Sequence, residues 1–330
     1  MIQGRFLPLV ARLASKNQPV DIMELNFGII MDTITGFIFG LGNGSQFLRK
    51  EDVDTEWLHK YQSRRSYSFW DGEVPMAIKL SRMLGLSMVP PFVGEATAFI
   101  ENWTMSRCKS AAARKGASIV DEHDGQSTSA VVYNQLTKAV HATTAADLVL
   151  GPPDLQVASE LHDHIVAGED TSSITLTYLY WELSKNPGLQ AALREELLTL
   201  KPQIKVPGKG FRELPHPRVI DGLPLLHAVV METLRIHPAI PGPQPRTTPN
   251  PPVSVAGSPP LDPGTRISAQ AYTLHRHPDV FPDPEVWRPR RWLDTSEEKR
   301  AEMLKWFWAF GSGGRMCVGS NIAMQGRIDS

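Results

Sequence analysis

Between Asp154 and Ser184 the chain carries no proline, from just after Gly151-Pro152-Pro153 to just before Asn186-Pro187. Asp154 is a good helix cap, and the stretch predicts one helix of about 30 residues, roughly 45 Å at 1.5 Å per residue. That is nearly three times the usual helix length. Such an element crosses a whole core, so the other segments must be arranged along it.

The rest of the chain supplies segments of that kind. Residues 21–41 read as a helix, with Asp21 as N-cap and closure at Phe39-Gly40. Residues 51–118 hold Trp57, Tyr61, Phe69, Trp70, Phe92, Phe99 and Trp103. Two or three helices are expected there, broken at Pro75 and Pro90-Pro91. A helix follows Pro187 through Leu200, and another runs from Leu223 to His237 and stops at Pro238. Residues 238–290 are rich in proline, with short apolar pieces at Val253-Ser254-Val255 and Arg266-Ile267-Ser268 that predict small strands and turns. A short helix over 296–306 leads into a glycine-rich loop at 311–319. The fold class is mainly α with a small β region, in one domain over 1–330, built on a long central helix at 154–184.

Composition narrows the function classes. A formal net charge of -1 gives no basic field for nucleic acid. The two cysteines, Cys108 and Cys317, are too few for a disulfide scaffold in 330 residues. Cys108, between Arg107 and Lys109, reads as structural or surface. The opening Met1-Ile2-Gln3-Gly4-Arg5 is unlike a signal peptide. The apolar stretch from Phe27 to Leu41 is interrupted by Gly28, Asp32 and Gly36 and is shorter than the roughly 20 residues of a spanning helix.

The chemistry concentrates around Cys317. In Phe310-Gly311-Ser312-Gly313-Gly314-Arg315-Met316-Cys317-Val318-Gly319 the glycines allow tight turns and close backbone approach to something flat or bulky. Helix-compatible residues follow from Ser320, which places Cys317 at a helix start, where dipole and free amides suit an anionic ligand. Arg315 adds a cation two residues away. A lone cysteine is most often a small buried hydrophobe, but that reading leaves the glycines and the arginine unexplained. The stretch resembles the haem-binding signature of cytochromes P450, Phe-Gly-x-Gly-x-Arg-x-Cys-x-Gly, at every fixed position.

Three further constellations resemble the same family, in its own order. Glu232-Thr233-Leu234-Arg235 puts a carboxylate and a guanidinium on one helical face, a pair common on solvated helices. With Ile236-His237-Pro238 behind it, the motif looks like the family's Glu-x-x-Arg helix. Trp287-Arg288-Pro289-Arg290-Arg291-Trp292 resembles its aromatic-x-Pro-x-Arg-aromatic segment, with Arg290 where Glu is common. In the long helix, Ala167-Gly168-Glu169-Asp170-Thr171-Ser172 matches the family's oxygen-activation motif. Taken alone it also fits a kinked helix with solvated acids. A mid-helix glycine costs about 1 kcal/mol against alanine, so Gly168 needs a reason. Room for a ligand against the backbone is one. Asp170 points about 100° away from Gly168 and Thr171's side, towards a water route.

The resemblance implies a cytochrome P450 fold and a set of roles. Cys317 would be the proximal ligand of the iron in haem b (iron protoporphyrin IX). Phe310 and Gly311 would pack near that ligand, and Arg315 and Arg246 would meet the propionates. Asp170 and Thr171 would handle proton delivery in oxygen activation, beside Gly168. Glu232, Arg235 and Arg291 would form a structural triad. His275 and His277, in His275-Arg276-His277-Pro278, read as an exposed loop pair without a metal, and His162 and His164, in the long helix, are not expected to be metal ligands either.

The implied activity is a monooxygenase that inserts one oxygen atom of dioxygen into a small apolar substrate. Electrons would come from an NADPH-dependent flavoprotein reductase. The wording around Ser268-Ala269-Gln270-Ala271-Tyr272 resembles fungal members of secondary metabolism. The family implies the cytosolic face of the endoplasmic reticulum membrane, through an anchor that this stretch of sequence is expected to lack. The alternatives are a haem-thiolate isomerase or dehydratase, and an inactive truncated fragment. A cysteine hydrolase is remote, since no His–Asp pair accompanies Cys317. Against the family's pattern, the N-terminal region and the C-terminal strands are expected to be missing, leaving strand edges unpaired.

Overall fold

A computed structural model describes residues 1–17, 19–113, 130–144, 151–204 and 213–326. In chain order the helices are α1 (Leu7–Lys16), α2 (Ile22–Phe39), α3 (Glu56–Arg65), α4 (Ser68–Glu73), α5 (Pro75–Met83), α6 (Pro91–Ala113) and α7 (Val131–Ala142). They continue with α8 (Pro153–Lys185), α9 (Pro187–Leu198), α10 (Pro217–Asp221) and α11 (Pro224–Ile236). Strands β1 (Pro243–Thr247) and β2 (Arg266–Gln270) follow, then α12 (Ala271–Leu274), α13 (Glu297–Trp306) and α14 (Ser320–Gly326). The molecule is mainly α with a small sheet, as the proline spacing predicts.

Local chemistry explains most boundaries. Asp21 caps α2 by accepting from the amides of Met23 and Glu24. Ser296 caps α13 through the amide of Lys299. Pro75 and Pro91 open helices at their first residue, where the missing N–H costs nothing, so 51–113 holds α3, α4, α5 and α6 in place of the two or three helices expected. The last part of the 51–118 reading lies outside the described residues. α8 spans 33 residues, two more than the sequence predicts. In the sheet, Pro243 pairs with Gln270 and Thr247 with Arg266, antiparallel. Val253-Ser254-Val255 forms no strand; only an isolated bridge joins Val253 to Leu261.

The chain divides into two compact units. The first holds the described residues of Met1–Asp170, the second those from Thr171 on. The core of the first gathers Phe27, Met31, Ile38, Phe39, Trp57, Ile100, Leu161 and Ile165. By length and composition α2 could cross a membrane, yet two thirds of it (67%) is buried in this unit. Cys108 belongs to the same core, and burial pushes its thiol up to about 11. In the second unit, Leu179 and Leu183 of α8 pack with Val229, Val230 and Leu234 of α11. Beside them, Met231, Phe281, Trp292 and Met303 make a second cluster.

Candidate functional site

α11 sets Glu232 and Arg235 one turn apart, both fully buried. Arg235 donates to both carboxylate oxygens, Nε to Oε2 at 2.9 Å and Nη2 to Oε1 at 2.8 Å. Arg291 reaches the same carboxylate from a one-turn helix over Pro289–Trp292, Nε to Oε1 at 2.9 Å. The indole of Trp292 and the amide of Arg288 complete the set, each at 2.9 Å. The three predicted triad residues therefore meet around one carboxylate. Two guanidiniums against one carboxylate leave a buried positive charge, which the carbonyls of Pro282, Pro284, Val286 and His275 solvate. Burial pushes the Glu232 carboxyl upward, but the hydrogen bonds and charges of Arg235 and Arg291 outweigh it and hold the group below its usual range.

The cysteine loop starts where α13 ends. Phe310 packs against the Leu179–Val230 cluster. Gly311 and Gly313 have φ of +67° and +70°, left-handed conformations that glycine adopts without strain. The amide of Cys317 donates to the Phe310 carbonyl at 2.9 Å, which folds the loop back on its own start. Cys317 itself is exposed and unbridged. Arg315 is exposed and makes no ion pair among the described residues. Arg246 lies on β1, exposed, its Nη1 donating to the neighbouring Pro245 carbonyl. β1 runs beside the loop: Gln244 Oε1 stands 3.5 Å from where a Cβ on Gly311 would be.

His275 departs from the sequence reading. It is fully buried, not exposed, with ring nitrogens bonded to the Arg235 carbonyl and the Trp308 amide. Burial pushes it down to about 4, and the Arg235 and Arg276 charges act the same way. His277 is partly exposed against Trp306. Glu182 and His237, which the sequence reading did not single out, form a second pair, the buried carboxylate Oε1 standing 2.8 Å from Nε2 of the partly buried imidazole, which stacks on Tyr178. Their separation of 55 residues hides the contact from any local motif.

The oxygen motif lies in α8 at the division between the units, Asp170 in the first and Thr171 in the second. Within the first unit Asp170 accepts from Arg65 Nη1 at 3.1 Å, and the Tyr61 hydroxyl approaches its other oxygen at 3.5 Å. Burial and the Asp170 carboxylate push the Tyr61 phenol up to about 12. Tyr61 and Arg65 were not foreseen, since the contacts span more than 100 residues. A Cβ on Gly168 would lie 2.0 Å from Ile34 Cδ1, so packing against α2 supplies a reason for this glycine besides room for a ligand. Thr171 is half-buried, its carbonyl accepting from the Thr175 hydroxyl. His162 contacts Thr104 and His164 its own helix carbonyl at Glu160. No group of three His, Cys, Asp or Glu suits a metal ion among the described residues. A cavity of 620 Å³ in the first unit, bordered by Arg49, Glu56 and Lys60, holds none of the predicted residues.

The second unit thus offers an exposed unbridged thiol, exposed apolar side chains at Met316 and Val318, and two arginines lacking a carboxylate partner among the described residues. That donor set fits a flat apolar macrocycle with a thiolate-ligated metal and acidic edges.

Comparisons with known proteins agree. The family model described as Cytochrome P450 matches residues 5–326. The cytochrome P450 monooxygenase FGM1 of Gibberella zeae is 26% identical over 92% of this chain and 56% of its own length. The cytochrome P450 monooxygenase avaI of Aspergillus versicolor is 27% identical over 93% of this chain and 67% of its own. The monooxygenase tazI of Aspergillus terreus reaches 37% identity over 52% of this chain, but only 32% of its own length is covered. The chain thus spans between about a third and two thirds of these relatives. A solved cytochrome P450 (CYP102L1) superposes with a TM-score of 0.70 over 98% of this chain and 63% of its own, at 19% identity. From the motifs, the fold and these matches, the chain belongs to the cytochrome P450 family.

Proposed function

We propose that this chain carries the haem-binding core of a monooxygenase, with Cys317 as the iron ligand. The observation that carries this is the exposed, unbridged Cys317 thiol on a loop closed by its own amide and two left-handed glycines. Phe310 and Gly311 would line the group on the cysteine side, and Arg315 and Arg246 would hold its propionates. Bound haem would supply activation of dioxygen for insertion of one atom into an apolar substrate, with electrons from an NADPH-dependent flavoprotein reductase. Asp170, held by Arg65, would accept and pass on protons, and the Thr171 hydroxyl would present one from the same helix; Gly168 keeps that stretch slim. Glu232, Arg235 and Arg291 take no part in the chemistry and hold the loop in place. The Asp170-Thr171 pair favours a monooxygenase over an isomerase or dehydratase, which needs no oxygen-activating residues. The fungal relatives named as monooxygenases support the same reading, and a role in fungal secondary metabolism belongs to this proposal. Attachment at the cytosolic face of the endoplasmic reticulum belongs to this proposal; one relative, of Rattus norvegicus, is named as mitochondrial.

The test is the reduced, carbon-monoxide-bound absorption spectrum of the chain expressed with haem precursor, beside Cys317→Ala. A thiolate-type Soret band in the parent, lost in the variant, is expected. A band of that type surviving in the variant would refute Cys317 ligation, and no haem binding by the parent would leave an inactive fragment.

A further inference from the structure

We propose that His275 is the positioning residue of the cysteine loop, a buried neutral imidazole that ties the Trp308–Gly311 turn to the Glu232–Arg235 helix. The inference rests on the proposed role of Cys317 only for its functional consequence; the tie itself is geometric.

The ring is fully buried, and both its nitrogens are used. Nδ1 stands 2.8 Å from the Arg235 carbonyl, which can only accept, so Nδ1 carries the proton. Nε2 then keeps its lone pair, and the Trp308 amide donates to it at 2.7 Å. The tautomer is thereby set by its two partners. The ring stacks on Phe307, with centroids 5.3 Å apart and 14° between planes. The main chain of His275 is held as well, its carbonyl accepting from Arg235 Nη1 at 2.8 Å.

From Trp308 the connection continues to the ligand candidate. The Trp308 carbonyl accepts from the Gly311 amide at 3.1 Å, and its indole donates to the Ser312 hydroxyl at 2.7 Å. The Phe310 carbonyl accepts from the Cys317 amide at 2.9 Å. The imidazole thus anchors the first residue of a short hydrogen-bonded turn whose far end is Cys317. Without an acceptor at that point, the half-buried Trp308 amide would lose its partner, and the tie between the turn and α11 through His275 would be broken, leaving the packing of Phe307, Ala309 and Phe310. An imidazolium has no acceptor nitrogen and would set N–H against N–H. The neighbouring Arg235 and Arg276 guanidiniums oppose that form, with Glu232 acting the other way.

Two variants of the full chain separate the contacts. His275→Asn keeps a donor for the Arg235 carbonyl and withdraws the acceptor from Trp308; His275→Gln returns an acceptor to the longer reach. Amide hydrogen exchange is read at Trp308, Gly311 and Cys317, with the α11 amides as internal reference, in protein free of haem. In H275N the three loop amides should exchange roughly tenfold faster while α11 stays within about threefold, as loss of one hydrogen bond predicts. H275Q should stay near the parent. In the haem-loaded chain, H275N should lose part of the thiolate-type Soret band that H275Q keeps. Unchanged loop amides in H275N, or acceleration spread equally over α11, would overturn the inference. Should H275N not fold, histidine-labelled NMR of the parent decides: a proton on Nε2 in place of Nδ1 would overturn it. A parent without the thiolate band would count against Cys317 ligation, and the exchange result would still decide the tie.

Discussion

Glu232 collects five donors on two oxygens, from Arg235, Arg288, Arg291 and Trp292. Glu232→Ala would leave two guanidiniums buried without their counter-charge, which costs on the order of 3–5 kcal/mol. Urea unfolding should therefore show a large drop in midpoint, and a loss under 1 kcal/mol would mean the arginines find other partners. His275 makes the complementary case for pH. Its folded-state value, about 4, lies below the ordinary 6.5, so the folded chain prefers the neutral ring. The stability it contributes is complete above about 6.5 and is lost as pH falls towards 4. Between pH 7 and 5 the loss amounts to about 2 kcal/mol. The parent-minus-H275N difference in unfolding free energy should shrink by that amount over the same interval; a constant difference would show that the ring does not titrate against folding. Glu232, held low, gives way only at still lower pH. Motif spacing revealed Glu232 and Arg235 because one helical turn separates them. It hid His275, because His-x-His beside prolines looks like solvent-exposed loop until Arg235 and Trp308 are seen closing over it.

At the scale of elements, legibility followed locality. α8, the Asp21 cap of α2 and the short helix over 296–306 are written in consecutive residues, and the structure places them within a few positions of the prediction. Pro75 and Pro91 were harder, since a proline ends one helix and begins another with equal ease. Val253-Ser254-Val255 carries strand-like residues but finds only a bridge, because strand formation depends on a partner, not on propensity. The Arg65–Asp170 pair and the α2 loop show what remains out of reach. There Asp32, buried within α2, accepts from Ser45 Oγ at 2.8 Å and from the Phe47 and Leu48 amides at 2.7 and 3.2 Å, all in the segment that follows the helix. Arg5 pairs with it from the N-terminal turn at 3.1 Å. Asp32→Ala would strand the Phe47 and Leu48 amides and leave Arg5 without its carboxylate, while the Ser45 hydroxyl keeps Thr35, and should destabilise the first unit by roughly 3 kcal/mol. Thermal unfolding checks the size, and exchange at Phe47 and Leu48 checks the place. Equal protection of those two amides in the variant would show that Asp32 does not organise the loop.

At the scale of the whole molecule, the central question is whether the two compact units behave as one domain. Each has its own apolar cluster, which by itself would allow separate unfolding. α8 argues the other way. It is one uninterrupted helix, and it gives Leu161 and Ile165 to the first cluster and Leu179 and Leu183 to the second. Melting the second cluster would strip the last turns of α8 of their packing, and helix formation is cooperative along its length. We therefore propose a single cooperative domain and test it through Glu232→Ala, which touches only the second unit. Native-state exchange at the Leu161 and Ile165 amides should weaken by the same free energy as at Val229 and Val230 in α11. If the α11 amides lose protection while Leu161 and Ile165 keep theirs, the units unfold independently.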